Sequence, residues 1–159
     1  MLTFDHRGHL TPYSHIQTSI EEFRSTFVDG IASVTRSDNF EKYIRYSDDL
    51  KNLLGTKSLK QWLNGSFVTR KTNPKDIDLV TFIDHKTIVR LGDQLDRFKA
   101  DGGWNYYEVD AYVLDVHPKN SDSYKFTYSD IVYWMNQFSH TRRNRRGDIF
   151  NKGFLEINY

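Results

Sequence analysis

The stretch that decides the fold is residues 62–83, which read WLNGSFVTRKTNPKDIDLVTFI. Its second half alternates acidic and apolar residues and then becomes almost entirely apolar, which predicts a strand over residues 77–83. Because strand side chains alternate between the two faces of a sheet, Asp76 and Asp78 share one face and the apolar residues around them the other. The sequence therefore predicts a strand that carries two acids at its start, on one face.

These paired acids indicate a cation site. Two carboxylates so close repel each other unless a cation or a basic partner lies between them. Mg²⁺ is the natural ion, since it prefers carboxylate and phosphate oxygens. A third acid, Asp110, has the matching phase in the alternating segment Trp104 to Val116, where Glu108 shares its face. If that segment is a strand beside residues 77–83, Asp76, Asp78 and Asp110 can hold two metal ions ~4 Å apart.

Phosphate ligands are expected next to the acids. Gly65 and Ser66 follow a short predicted strand and open a turn, where backbone N–H groups and a hydroxyl can meet phosphate without a bulky side chain in the way. Lys71 follows in the same loop. Arg142 and Arg143 belong to the most concentrated positive charge of the chain, residues 142–146, which is either a phosphate clamp or a solvated loop. The pattern as a whole is typical of phosphoryl transfer.

The remaining segments predict an α+β fold, a small mixed sheet with helices on one face. A single domain is expected over residues 1–159, with an N-terminal arm and helices in 1–55 and the catalytic core in 56–159. Capping-box spacing starts a helix at Thr18 or Ser19. The further predicted elements are helices over 40–54, 88–98 and 128–138, and strands over 58–63, 104–116 and 154–159.

Composition excludes several functional classes. The 159 residues include no cysteine, which rules out a disulfide scaffold, thiolate catalysis and Cys-ligated zinc, and favours the cytoplasm. The formal charge of +1 gives no global attraction to nucleic acid or to a membrane. No apolar run is long enough to span a bilayer, so we expect no membrane partner. The six histidines are scattered without zinc spacing, and each is expected to be structural or superficial.

Taken together, Gly65-Ser66, the Asp76-Ile77-Asp78 triplet and the later Asp110 resemble the polymerase-beta-like nucleotidyltransferase superfamily, especially its minimal bacterial members. The opening residues 4–12, the block 64–69 and the ending 152–157 look like a functionally uncharacterised bacterial family of such proteins. This second likeness extends over nearly the whole chain.

The resemblance implies an enzyme that transfers a nucleoside monophosphate from an NTP, most plausibly ATP, to a hydroxyl of a protein or RNA acceptor. It implies that Asp76, Asp78 and Asp110 bind two Mg²⁺ ions and that Gly65 and Ser66 hold the nucleotide phosphates. A partner of the toxin–antitoxin or defence kind is also implied. Two alternatives stay open from the residues: a binding module that has the fold without turnover, and a metal-dependent phosphohydrolase.

Overall fold

The computed structural model describes all residues from 1 to 159 and has the predicted α+β fold. Its elements in chain order are β1 (Thr3–Phe4), β2 (Leu10–Thr11), β3 (His15–Gln17), α1 (Ile20–Arg24), α2 (Arg36–Leu54), β4 (Lys60–Asn64), β5 (Asp78–Asp84), α3 (His85–Leu91), α4 (Asp101–Tyr107), β6 (Asp110–Val116), α5 (Tyr124–Phe138) and β7 (Phe154–Asn158). A π-helical turn, Ser25–Asp29, extends α1, and a 3₁₀ helix, Gly92–Phe98, follows α3. No helix combines the length and the apolar character that crossing a membrane requires.

A mixed five-stranded sheet organises the chain, in the order β3-β7-β4-β5-β6. Strands β5 and β6 are parallel, whereas β4 is antiparallel to both of its neighbours, β5 and β7. The short β3 pairs in parallel with β7 at one edge. The N-terminal region, which sequence reasoning treated as an arm preceding the core, therefore contributes a strand to the central sheet.

Helices cover both faces of this sheet, so the prediction that they lie on one face was wrong. Helices α1 to α4 pack on the face that buries Leu63, Leu79 and Ala111. The opposite face buries a second, smaller cluster, to which α5 contributes Phe138; its sheet members are Trp62, Val80, Leu114 and Phe154. These apolar residues share a face with the acids but lie further along the strands, where α5 packs on them and shields them from water. The acids lie at the strand ends, beyond the cluster that α5 covers, and are accessible from a cleft.

The strand predicted over 104–116 begins later, because residues 101–107 form helix α4. Gly102 and Gly103 lie in this helix, where they permit close packing. A Cβ on Gly103 would lie 2.8 Å from the Ala111 Cβ, and one on Gly102 would lie 1.9 Å from a backbone oxygen of Asp96. Buried Tyr107 fixes the helix against Tyr46, with ring centroids 5.4 Å apart. Tertiary packing thus overrides an alternating pattern that favoured a strand.

Other boundaries agree more closely with the sequence. Ser19 is the N-cap of α1, and its side chain accepts a hydrogen bond from the Glu22 amide. Helix α2 ends at Leu54, as predicted, and Gly55 after it adopts the left-handed conformation at φ 68°. The single helix predicted over 88–98 is divided at Gly92 into α3 and the 3₁₀ helix.

Candidate active site

Three neighbouring strands bring the predicted residues to one end of the sheet. In the pairing register, Asn64 at the end of β4 lies opposite Asp78 at the start of β5, and Asp78 lies opposite Asp110 at the start of β6. This confirms the predicted proximity of Asp78 and Asp110. Asp76 lies two residues before β5, on the loop that leads from Gly65.

An open cleft of about 1220 Å³ lies over this end of the sheet. Seven of the eight predicted site residues line it: Gly65, Ser66, Lys71, Asp76, Asp78, Asp110 and Arg142. Arg143 does not, because its guanidinium donates a hydrogen bond to the Gly147 carbonyl at 2.8 Å within its own loop. The basic loop therefore offers the cleft one guanidinium from the predicted pair.

Gly65 is required because of its contact with Asp78, whereas the sequence suggested only a contact with phosphate. Its φ of +80° is one that residues with a side chain rarely adopt, and a Cβ there would lie 1.7 Å from Asp78 Oδ2. The space that glycine leaves is thus occupied by the Asp78 carboxylate rather than kept for phosphate alone. Gly65 and Asp78 form one packed unit at the base of the cleft.

The electrostatics of the cleft centre on Asp78, whose side chain is 18 % exposed. Burial, the largest cause, together with the negative charges of Asp110 and Asp76, raises the pKa of Asp78 to about 6. The Arg142 guanidinium, 3.7 Å from Asp78 Oδ1, and Lys152 oppose the shift without cancelling it. These two cations do not fully offset burial and the neighbouring carboxylates. A bound divalent cation would supply the remaining positive charge.

The donor set fits Mg²⁺, because Asp78 and Asp110 offer adjacent carboxylates in a cleft that is open to solvent. Asp76 is less closely gathered. The only group of three acidic or imidazole side chains whose ligand atoms all lie within 4.8 Å of one another is elsewhere, at His85, Asp115 and His117. Asp78 and Asp110 are the two acids that the strand pairing places directly opposite each other.

Lys152 is a site residue that the prediction of site residues omitted. It is 6 % exposed, lines the cleft, and its Nζ donates to the Gly65 carbonyl at 3.4 Å. Burial lowers its pKa to about 8, and the nearby Asp78 carboxylate limits the shift. Lys152 immediately precedes β7, and local sequence gives no signal that this end of the chain folds back onto the turn at Gly65.

Arg36 supports the loop between the Gly-Ser turn and the acids. It is 1 % exposed at the start of α2, and its guanidinium donates to the backbone carbonyls of Phe67, Thr69 and Lys71 at 2.6 to 2.7 Å. A further bond of 3.1 Å reaches the carbonyl of Phe27. A buried cation that satisfies several loop carbonyls fixes the conformation of this loop. In the sequence, Arg36 lies ahead of the helix predicted over 40–54 and gives no local signal of this role.

Aromatic side chains form a further wall of the cleft. Tyr112, on the same face of β6 as Asp110, lies against Trp134 of α5 with ring centroids 4.5 Å apart, and Tyr133 lines the cleft beside them. Tyr106, which a strand over 104–116 would carry on the same face as Asp110, lies in α4 instead. The cleft thus combines acids, buried and exposed cations and flat apolar surfaces, a set able to hold a triphosphate, metal ions and a base.

Comparison with known protein families matches residues 2–158 to DUF6932, a family of unknown function. The chain belongs to that family. Among curated proteins no match is found. Among solved structures there is likewise none.

Proposed function

We propose that this protein is a metal-dependent nucleotidyltransferase, which transfers a nucleoside monophosphate from an NTP, most plausibly ATP, to a hydroxyl of a protein or RNA acceptor. The observation that carries the proposal is the register of β4, β5 and β6, which places the Gly65 turn against Asp78 and Asp78 against Asp110. A phosphate-binding turn beside paired carboxylates is what in-line attack at the α-phosphorus requires.

The acids have separate roles in this proposal. Asp76 and Asp78 bind the ion that travels with the triphosphate, and Asp110 completes the site next to the attacking hydroxyl. The bound Mg²⁺ ions would neutralise charge on the phosphates and lower the pKa of that hydroxyl. Burial and the neighbouring carboxylates raise the pKa of Asp78 to about 6, so we expect a bound cation to favour its ionised form.

Cations around the turn hold the phosphates. Ser66 and the backbone N–H groups after Gly65 meet the β- and γ-phosphates, and Lys71 is exposed at the mouth of the cleft. Arg142, whose side chain is 92 % exposed, is free to move from Asp78 to an incoming phosphate. Lys152 stays fixed at the base, because it is buried against the Gly65 carbonyl.

Acceptor and cellular setting are proposed more broadly. An open cleft whose lining includes the exposed arginines Arg7, Arg70 and Arg142 suits a macromolecular hydroxyl. A partner of the toxin–antitoxin or defence kind would present one. We place the reaction in the cytoplasm, in keeping with a chain that has no cysteine.

The test is transfer of label. Each α-³²P-labelled NTP is incubated with the protein, Mg²⁺ or Mn²⁺ and host lysate, and the macromolecules that acquire label are separated by electrophoresis. We expect the wild type to label an acceptor. In Asp110→Asn we expect labelling to fall at least about 100-fold, because the Asp110 carboxylate is needed mainly in the transition state. The matched control is Asp93→Asn, an exposed acid outside the cleft.

The products separate the alternatives. Pyrophosphate release with a labelled acceptor supports transfer, whereas release of inorganic phosphate without one would support a phosphohydrolase. Tight NTP binding with no product from any nucleotide would support a binding module. Equal labelling by wild type and Asp110→Asn would contradict the assignment of the site.

A further inference from the structure

A second group of polar residues lies at the opposite end of the sheet. His85 follows β5, while Asp115 and His117 lie at the end of β6, two residues apart and therefore on one face. Strands β5 and β6 are parallel, so these residues gather at the carboxyl ends, whereas Asp78 and Asp110 lie at the amino ends. Six residue steps along β5 separate the two ends by about 20 Å.

The three side chains converge on one point. Asp115 Oδ2 lies 2.9 Å from His85 Nδ1 and 3.6 Å from His117 Nε2. The two imidazole rings stack with centroids 4.1 Å apart. All three potential ligand atoms lie within 4.8 Å of one another, and Asp115 Oδ1 is buried without a hydrogen-bond partner. Asp115 Oδ2 thus lies close to both imidazoles, and Asp115 Oδ1 has no hydrogen-bond partner.

These separations match a tetrahedral metal centre. Zinc bonds to imidazole nitrogen and carboxylate oxygen are about 2.0–2.2 Å, which sets neighbouring ligand atoms of a tetrahedron about 3.3–3.5 Å apart. The observed 2.9 and 3.6 Å lie on either side of that spacing. We propose that His85, Asp115 and His117 bind a divalent transition-metal ion, of which Zn²⁺ is the best match.

Rigid elements hold these ligands in place. Thr127 of α5, which is buried, donates from its hydroxyl to the Asp115 carbonyl and accepts from the His117 amide, each at 2.8 Å. Asp84 caps α3 by accepting from the Thr87 amide at 3.0 Å, which fixes the start of the helix at His85. Because the backbone is fixed on both sides, the ion would need only small side-chain rotations.

Ligand chemistry decides the class of ion. Two imidazoles and one carboxylate suit Zn²⁺ and its first-row neighbours, whereas Mg²⁺ prefers an all-oxygen shell. Three protein ligands leave the fourth tetrahedral position to water, as in zinc sites that are not purely structural. This site is separate from the proposed nucleotide cleft, and neither depends on the other.

The test is a calorimetric titration with Zn²⁺ in millimolar Mg²⁺, which competes for the carboxylates of the cleft. We expect one Zn²⁺ per chain, with binding weakened at least about 100-fold in His117→Gln and in His85→Gln, since even ligand-supporting residues contribute 10- to 100-fold to affinity. His6→Gln, at an exposed histidine outside the cluster, is the control. Circular dichroism checks that each variant is folded.

Co²⁺ gives an independent readout. Intense visible absorption on Co²⁺ addition indicates a tetrahedral site, and we expect it in the wild type and in His6→Gln but not in His117→Gln. The proposal is overturned if the wild type binds no Zn²⁺, if both cluster variants bind as tightly as wild type, or if His6→Gln loses as much affinity as they do. These outcomes are independent of whether nucleotide transfer is observed.

Discussion

Replacing Gly65 with alanine tests how the turn and the acids are joined. The added Cβ would lie 1.7 Å from Asp78 Oδ2 and 2.8 Å from its Cγ, so the carboxylate must move or the β4–β5 end must open. Overpacking of this kind costs ~1–3 kcal/mol. The left-handed backbone at φ +80° adds ~1–2 kcal/mol for a residue with a side chain. We therefore expect Gly65→Ala to lower the free energy of unfolding by about 2–5 kcal/mol.

Gly55→Ala separates the two contributions. Gly55 also has a positive φ, +68°, but a Cβ there meets nothing within 4 Å, so only the backbone cost of ~1–2 kcal/mol applies. Both substitutions restrict the unfolded chain equally, and that effect cancels in the comparison. The difference between the two variants measures the collision with the Asp78 carboxylate.

A double-mutant cycle completes the assay. In an Asp78→Ala background the remaining Asp78 atom, its Cβ, would lie at 3.5 Å, an ordinary contact. Gly65→Ala should then cost no more than Gly55→Ala, by urea unfolding followed through tryptophan fluorescence. The reasoning is refuted if Gly65→Ala and Gly55→Ala cost the same in the wild-type background, or if removing the carboxylate brings no relief.

Three further results are expected. Arg36→Met should lower the free energy of unfolding by about 3–5 kcal/mol because it leaves buried carbonyls unpaired, while Met at exposed Arg90 should change it by under ~0.5 kcal/mol in the same urea assay. Asp78 has a raised pKa of about 6, so its charge destabilises the fold increasingly from about pH 4 to pH 6 and fully above that. Asp78→Asn should thus stabilise the protein by about 1–3 kcal/mol at pH 8 and hardly at pH 4, and equal effects would refute this. Arg142→Gln should weaken ATP binding by about 10-fold at low salt, whereas Arg143→Gln, the matched control, should leave it unchanged in calorimetry.

The sequence predicted that the acids lie together because they occur in a local pattern of alternating polar and apolar residues. Alternation placed Asp78 and Asp110 on one face of two apolar strands, and burying both apolar sides under the same helices favours pairing of these strands, with β6 at the edge of the sheet. The register that makes them neighbours followed from burying those apolar sides together. The α+β class and the glycine at the end of α2 were predictable on similar local grounds.

What the sequence missed depends on contacts between distant segments. The buried role of Arg36 and the return of Lys152 to the Gly65 turn involve residues that are far apart in the chain. The histidines at 85 and 117 show no zinc spacing because a parallel strand pair, not a local motif, brings them together. Gly102 and Gly103 gave no signal of helix α4, because close helix packing and a turn both select glycine.

The most direct test of the central claim is calorimetric titration of an ATP analogue that cannot be cleaved between its α- and β-phosphates, with and without Mg²⁺. We expect the analogue to bind only in the presence of Mg²⁺. Asp78→Asn should lose this binding because Asp78 lies in the cleft, whereas Asp93→Asn should retain it because Asp93 is exposed outside the cleft. Wild-type protein that fails to bind the analogue at millimolar concentration, or an Asp78→Asn variant that binds it as tightly as wild type, would contradict the account.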